Sequence, residues 1–508
     1  MIPPSVPRLS PEDPHNQRLT ANVHPPDWVN PTPATRYHLV VIGGGTAGLI
    51  TAAGAAGLGA KVALIERHLL GGDCLNFGCV PSKTLIRAAR AVADVRAAGA
   101  FGVRVPPGTV IDFAAVMERV RRLRADLSPH DSAARMRGLG VDVYLGEARF
   151  ADADSVEVAG AKLRFKRAVL ATGARPLLPG VEGLAEAGFL TNETIFNLTE
   201  LPRRLAVIGG GPIGCELAQA FQRLGSQVTL LHKHAHLLDR EDTDAAEIVQ
   251  QRFLAEGIQL KLNCELLRAS QGVDGRTLQF ATGGREETVV VDQILASTGR
   301  APNVAGLNLE GVGVKYDGRQ GIIVNDRLQT TNPRIYAAGD VCLKWKFTHA
   351  ADAAARIVIQ NALFLGRKRL STLTVPWCTY TDPELAHVGL HEHEARQQGL
   401  AVDTFCQPLG DVDRAVTDGS TEGFVKIVVA RGSDRILGAT IVARHAGDLI
   451  SEISTALAAR LGLGKLAHVI HPYPTQAGAI KQCADTYNRT RLTPTVRKML
   501  ARWLAWTG

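Results

Sequence analysis

The stretch HLVVIGGGTAG, residues 38–48, decides the fold. An apolar run leads into glycines at 43, 45 and 48 and then into an alanine-rich helical segment. That is the strand, turn and helix of a dinucleotide-binding unit. Gly43 permits the tight turn, Gly45 lets the backbone approach a pyrophosphate, and Gly48 allows the helix to pack closely, so that the helix N-terminus can hold phosphate charge. A second apolar run, KVALIE, ends in Glu66, at the position where an acid bonds a ribose hydroxyl. Residues 39–60 are apolar enough to be mistaken for a membrane span. Their glycine density and the fingerprint argue for a soluble strand and helix instead.

The signature returns as RLAVIGGGPIGCE, residues 204–216, with Gly209, Gly211 and Gly214 and a following strand-like SQVTLLHKH. One fingerprint is weak evidence, but two in one chain describe a protein built to hold two dinucleotides. Counting 23 residues from Gly43 reaches Glu66, whereas counting 23 from Gly209 reaches His232, with Lys233 and His234 behind it. A carboxylate suits a ribose with free hydroxyls; a basic cluster suits a 2′-phosphate. FAD is therefore assigned to the first site and NADPH to the second. The other reading of the basic residues is a solvated face that also accepts NADH. AVLATGARP (168–176) and ILASTGRAPN (294–303) each read as a buried strand ending in a Thr-Gly turn. They look like crossovers between domains, and Thr172, Gly173 and Gly299 at these turns join the candidate cofactor-binding residues.

Between the fingerprints lies GGDCLNFGCVPSK, residues 71–83. On a regular helix Cys74 and Cys79 would stand roughly 7.5 Å apart along the axis. A disulfide needs a Cα separation of roughly 4.4–6.8 Å, so a bridged pair requires Leu75 to Gly78 to form a distorted turn, which Asn76 and Gly78 permit. If a helix begins near Cys79, with Pro81 in its first turn, its N-H groups favour a thiolate there. The alternative, two small buried hydrophobes in a reducing compartment, is left open by the spacing alone. The neighbouring fingerprints favour redox chemistry.

The bulk properties fit a large soluble enzyme: 508 residues, 45% hydrophobic, 21% charged and a net charge of +8. No basic block or aromatic-interleaved stripe marks a nucleic-acid groove. Eight cysteines in so long a chain do not make a secreted disulfide framework, so a cytoplasmic location is expected. Residues 1–36, rich in proline and polar groups and without a signal-peptide pattern, are expected to form a flexible arm. The tail LTPTVRKMLARWLAW reads as a capped amphipathic helix with Val496, Met499, Leu500, Trp503 and Leu504 on one face. It is expected to pack on its own protein, with peripheral membrane contact as the second option.

From about Tyr37 to about Tyr487 the chain resembles the class I pyridine nucleotide-disulfide oxidoreductases, on the joint evidence of the cysteine motif, the two fingerprints and AAGD at 337–340. The resemblance implies an α/β fold with two Rossmann-like dinucleotide-binding domains and a C-terminal α+β dimerisation domain. The expected intervals are a first FAD segment at 37–175, an NAD(P) domain at 176–299, a second FAD segment at 300–371, an interface domain at 372–490 and a tail at 491–508. It further implies that Cys74 exchanges with substrate, Cys79 faces the flavin, Lys83 and Glu216 pair beside the nicotinamide, and Asp340 bonds the flavin's ribityl or phosphate region. A C-terminal histidine, here His471, would donate the proton across a homodimer.

In this sequence Gln476 stands where relatives usually carry a glutamate five residues after that histidine, so His471 is expected to lack carboxylate support. GDVDRAV (410–416), Tyr473 and YTDPELAHVG look most like the mercuric reductase branch, although the C-terminal Cys-Cys pair typical of it is missing and Cys483 is single. The implied function is reduction of a disulfide or metal-ion acceptor. The alternatives are a dihydrolipoamide dehydrogenase and a redox sensor without turnover. No resident metal site is expected.

Overall fold

The computed structural model describes residues 9–508. They fall into two compact units, the first running to Lys233 and resuming at Gln259–Leu373, the second made of His234–Ile258 and Thr374–Gly508. In the first unit the fingerprint strand Tyr37–Ile42 sits inside a seven-stranded sheet. Val62–Glu66 and Ala161–Leu170 flank it in parallel, with Val40 opposite Ala63 on one side and Ala168 on the other. Val141–Leu145 and Ile335–Ala337 extend the parallel part. These strands are apolar almost throughout because both faces of a parallel sheet are covered. Ala161–Leu170 is long enough to pair twice, its first half joining an antiparallel meander with Ser155–Val158 and Ala148–Asp152.

The second fingerprint strand, Arg204–Ile208, lies in a separate four-stranded parallel sheet beside Gln227–Leu231 and Gln293–Ala296. The two Thr-Gly turns meet: Ala174–Pro176 pairs antiparallel with Arg300–Pro302. Thr172 Oγ1 donates to the Asn303 carbonyl at 2.7 Å, and Asn303 Nδ2 donates to the Thr172 carbonyl at 2.9 Å. The second unit carries a five-stranded antiparallel sheet in the order Trp377–Thr379, Glu384–Gly389, Ile436–Ala443, Phe424–Ala430, Val402–Pro408. Helices Ala446–Ala458 and Gly478–Thr490 contribute Ile450, Ile453, Ile480 and Cys483 to its core. Among the described residues no helix is long and apolar enough to cross a membrane.

Three expectations are corrected. First, from residue 9 onward the N-terminal segment is not a flexible arm; residues 1–8 lie outside the described part. Pro14–Val23 forms a helix capped by Asp13, and Leu19 and Val23, one turn apart, are fully buried. Further on, Trp28 Nε1 donates to the Val143 carbonyl, and Asn30 bonds the backbone of Leu145 in both directions. The polar composition hid a short apolar stripe and side chains that satisfy a sheet edge.

Second, within the interval 176–299 the segment His234–Ile258 groups with the C-terminal unit, which the interval did not anticipate. Lys426 Nζ stands 2.7 Å from Asp242 and 2.8 Å from Asp244, and Trp377 Nε1 donates to Glu241 at 2.6 Å. Third, the tail helix Pro494–Thr507 buries none of its residues against its own chain, where packing was expected.

Candidate functional site

The two fingerprints adopt one backbone. Gly43 has φ 106° and Gly209 φ 109°, values open to glycine and strained for other residues. Gly45 and Gly211 each cap a helix without a side chain, at φ −78° and −79°. A Cβ on Gly48 would stand 1.7 Å from the Gly43 carbonyl, and one on Gly214 1.9 Å from the Gly209 carbonyl. Glu66 Oε2 accepts from Gly44 N at 2.6 Å, while His232 Nδ1 accepts from Gly210 N at 3.0 Å. The acid and the imidazole thus occupy equivalent places. Burial pushes the Glu66 carboxyl up, against the pull of the Gly44 and His68 amides. A bare helix N-terminus, a glycine cradle and a carboxylate beside it fit a dinucleotide carrying a free ribose at the first site.

Of the basic cluster, His232 is buried and Lys233 exposed. His234 belongs to the other compact unit, where its Nε2 lies 3.6 Å from Asp239.

At the cysteine motif a five-residue helix, Gly72–Asn76, ends at Phe77, and a 19-residue helix starts at Cys79. The interruption at Phe77–Gly78 brings the two sulfurs together, unbridged. Gly78 is needed there, since a Cβ would meet the Asp73 carboxylate at 2.7 Å. The Cys79 thiol is held down at about 6, first by the hydrogen bond from Cys74, then by Thr348 and the Lys83 ammonium, all working against burial. Cys74 is pushed up by the same bond and by burial. The two shifts run in opposite directions, Cys79 toward the thiolate and Cys74 toward the thiol. Thr348 Oγ1, 3.4 Å from Cys79 Sγ, was not found by sequence reasoning, since 269 residues separate the two.

Lys83 Nζ donates to Glu216 Oε2 at 2.8 Å, which joins the helix carrying Cys79 to the helix of the second fingerprint. Asp340 is held in a charge network that the motif alone did not disclose. Arg300, nearly buried, lies 3.2 Å from Asp73 and 3.5 Å from Asp340, and Asn192 donates to Asp73 and to the Phe77 carbonyl. Arg300 follows Gly299 in the second Thr-Gly turn and so ties that turn to the cysteine motif. The opposite side of the motif is held by buried Arg124, which donates to the Asn76 carbonyl at 2.9 Å and to Asn16 Oδ1 at 2.8 Å.

In the second unit His471, expected to lack carboxylate support, has a carboxylate beside it. His471 Nε2 lies 3.0 and 3.1 Å from the two oxygens of Glu452, and Nδ1 lies 3.2 Å from the Val469 carbonyl. Gln476 Oε1 is buried without a hydrogen-bond partner. The carboxylate missing from the local motif is supplied by the helix Ala446–Ala458, 19 residues upstream of the histidine. Tyr473 donates to Asp413 Oδ2 at 2.8 Å, bringing together two segments read as branch markers.

Glu241, His387 and His391 also gather in the second unit, buried, with ligand-type atoms within 4.8 Å of one another. Burial pushes Glu241 up to about 7 and His387 down to about 3. The rings of His387 and His391 stack at 3.5 Å, which sets their in-plane lone pairs nearly parallel instead of converging on one ion.

Residues 37–355 match the pyridine nucleotide-disulphide oxidoreductase family, and residues 375–484 match the dimerisation domain of the same family. The chain belongs to the pyridine nucleotide-disulphide oxidoreductase family. It is an enzyme of the flavin-dependent, disulfide-using class, with the two-fingerprint α/β fold and dimerisation domain of that class. A mercuric reductase of Lysinibacillus sphaericus is 38% identical over 89% of this chain and 83% of that protein. A dihydrolipoyl dehydrogenase of Thermus scotoductus is 34% identical over 89% of this chain and 98% of that protein. Among solved structures, the HOCl-induced flavoprotein disulfide reductase RclA of Escherichia coli superposes with a TM-score of 0.79 at 29% identity, covering 88% of this chain and 99% of that one.

Proposed function

We propose that this protein is an NADPH-preferring reductase that sends electrons through Cys74 and Cys79 to a soft metal ion of the Hg(II) kind. The reading is carried by one observation: a Cys79 thiolate at about 6 beside a Cys74 thiol, on a helix tied by Lys83 to the second fingerprint at 2.8 Å. A flavin at the first fingerprint would supply two-electron transfer between a nicotinamide and the disulfide. Gly43, Gly45, Gly48, Glu66 and Asp340 would hold it, with Thr172 and Gly173 at the crossover. Gly209, Gly211, Gly214 and His232 would hold the nicotinamide dinucleotide, with Lys233 and Gly299 near it in sequence. Because His232 Nδ1 accepts from Gly210, its Nε2 carries the proton, and a donor at this position suits a phosphate better than a carboxylate would.

Two electrons break the Cys74–Cys79 bond; Cys74 takes a proton and Cys79 keeps the charge. Delivery of the pair to Hg(II) gives the metal, releases the Cys74 proton to solvent and re-forms the S-S bond. The mercuric reductase relatives and the Tyr473–Asp413 pair support this acceptor. A disulfide acceptor is favoured by the His471–Glu452 dyad, which can move the proton a dithiol requires. In a homodimer built on residues 375–484, His471 of one protomer would serve Cys74 of the other.

The test is steady-state oxidation of NADPH and NADH by the flavin-loaded protein with Hg(II), lipoamide, glutathione disulfide and quinones. Hg(II) turnover with NADPH is expected to be fastest, and loss of it in Cys74→Ser. Faster lipoamide turnover with NADH replaces this reading by the dehydrogenase; flavin reduction without turnover on any acceptor replaces it by a sensor.

A further inference from the structure

We propose that the C-terminal helix Pro494–Thr507 is an interfacial anchor that lies on an anionic lipid bilayer. Thr493 Oγ1 accepts from Val496 N at 3.3 Å and Pro494 occupies the first turn, so the helix has its own start signal. At 3.6 residues per turn, Val496, Met499, Leu500, Trp503, Leu504, Trp506 and Thr507 share one continuous arc of roughly 160°. Arg497, Lys498 and Arg502 take the other side with Ala501 and Ala505. The apolar arc is open: Met499 is 62% exposed, Trp503 59%, Leu504 68% and Trp506 78%. The match to the dimerisation domain stops at residue 484, short of this helix.

Charge selects the occupant. Residues 491–508 contain Arg491, Arg497, Lys498 and Arg502 and no Asp or Glu. A second copy pairing through the apolar arc would leave these cations on its outer side without a counter-charge, in a chain already at +8. An anionic headgroup layer attracts them, accepts the aliphatic arc beneath it and seats indole rings at its boundary. Fourteen residues rise about 21 Å, too little to span the hydrocarbon core but enough to lie along its surface.

The experiment sediments the full-length, flavin-loaded protein with large vesicles of phosphatidylcholine, alone or with about 30% phosphatidylglycerol. At least tenfold stronger partitioning onto the anionic vesicles is expected, falling away near about 0.5 M salt. A chain ending at Arg491 should lose it. In case that truncation fails to fold, the triple variant Arg497→Gln, Lys498→Gln, Arg502→Gln should lower it roughly 100-fold while NADPH oxidation is unchanged. Equal recovery on both vesicles, or full binding by the truncated chain, overturns the proposal. So does a vesicle-free dimer that dissociates on truncation, which would give the face to a second copy.

Discussion

The two fingerprints of this chain share a backbone and differ in the side chain that answers it. Gly43 and Gly209 turn at φ 106° and 109°, and in each the first backbone amide after that glycine is answered by the residue ending the next strand. The answering residue is Glu66 in one and His232 in the other. Holding the amide needs only an acceptor, which carboxylate and imidazole both supply. Their remaining hydrogen-bond character differs, acceptor only for the carboxylate and an N-H donor for the imidazole. On the proposed reading the common geometry would bind the pyrophosphate and the variable residue would select the sugar.

The most severe way to break this likeness is through the helix-packing glycines. In Gly48→Ala the new methyl would lie 1.7 Å from a backbone carbonyl, and in Gly214→Ala 1.9 Å, distances that only backbone movement relieves. We expect Gly48→Ala to purify with little or no flavin. Gly214→Ala should keep its flavin yet lose at least 100-fold in reduction by NADPH, with dithionite reduction intact. Visible absorbance per chain and stopped-flow reduction separate the two; loss of flavin from both would mean that the folds do not work independently.

Exchanging the variable residue is the next sharper cut. His232→Glu replaces an imidazole donor with a carboxylate that repels a 2′-phosphate. The ratio of kcat/KM for NADPH over NADH should drop by roughly 10- to 100-fold, or about 1.4–2.7 kcal/mol. An unchanged ratio removes His232 from the selection of the cofactor.

These contrasts were legible because the fingerprint is local: glycine spacing, the strand before it and the residue about one strand beyond are read along a single supersecondary unit. Cys74, Cys79, Lys83 and Glu216 were found for the same reason, each standing inside a motif. What escaped was held by contacts that cross the fold. Glu452 reaches His471 from a different helix, so the local substitution at Gln476 pointed to a loss that the packing had already made good. Thr348, Arg300 and Arg124 converge on the cysteine turn from three distant segments. Residues 9–36 failed for a subtler reason, since Leu19 and Val23 supply too few apolar positions to show a period.

That N-terminal helix also marks a difference between the two folds, because it braces the half that carries the cysteines. Asn16→Ala would leave buried Arg124 without the acceptor it holds at 2.8 Å. A loss of about 1–3 kcal/mol is expected, visible as a lower melting temperature and earlier flavin release. Arg18→Ala on the same helix removes only an exposed pair with Asp126 and should stay within about 0.5 kcal/mol. Equal effects from both would reduce the brace to surface packing.

The smallest predicted effect tests the link between the halves. Cys79 is held at about 6 by Cys74 first, with Thr348 and then Lys83 adding to it. A hydrogen bond or a cation stabilises the thiolate and not the thiol, so removing either must raise the pH at which Cys79 ionises. Thr348→Val should move the midpoint of iodoacetamide labelling in the reduced enzyme upward by about one pH unit, and Lys83→Met by less. The order follows from distance: the hydroxyl lies 3.4 Å from the sulfur, whereas the ammonium is drawn toward Glu216 at 2.8 Å. Glu216→Gln then moves the midpoint the other way, because a lysine released from its carboxylate has more charge to offer the thiolate. A midpoint that rises in Glu216→Gln would mean that the second fingerprint helix steadies the lysine near the sulfur instead of drawing it off.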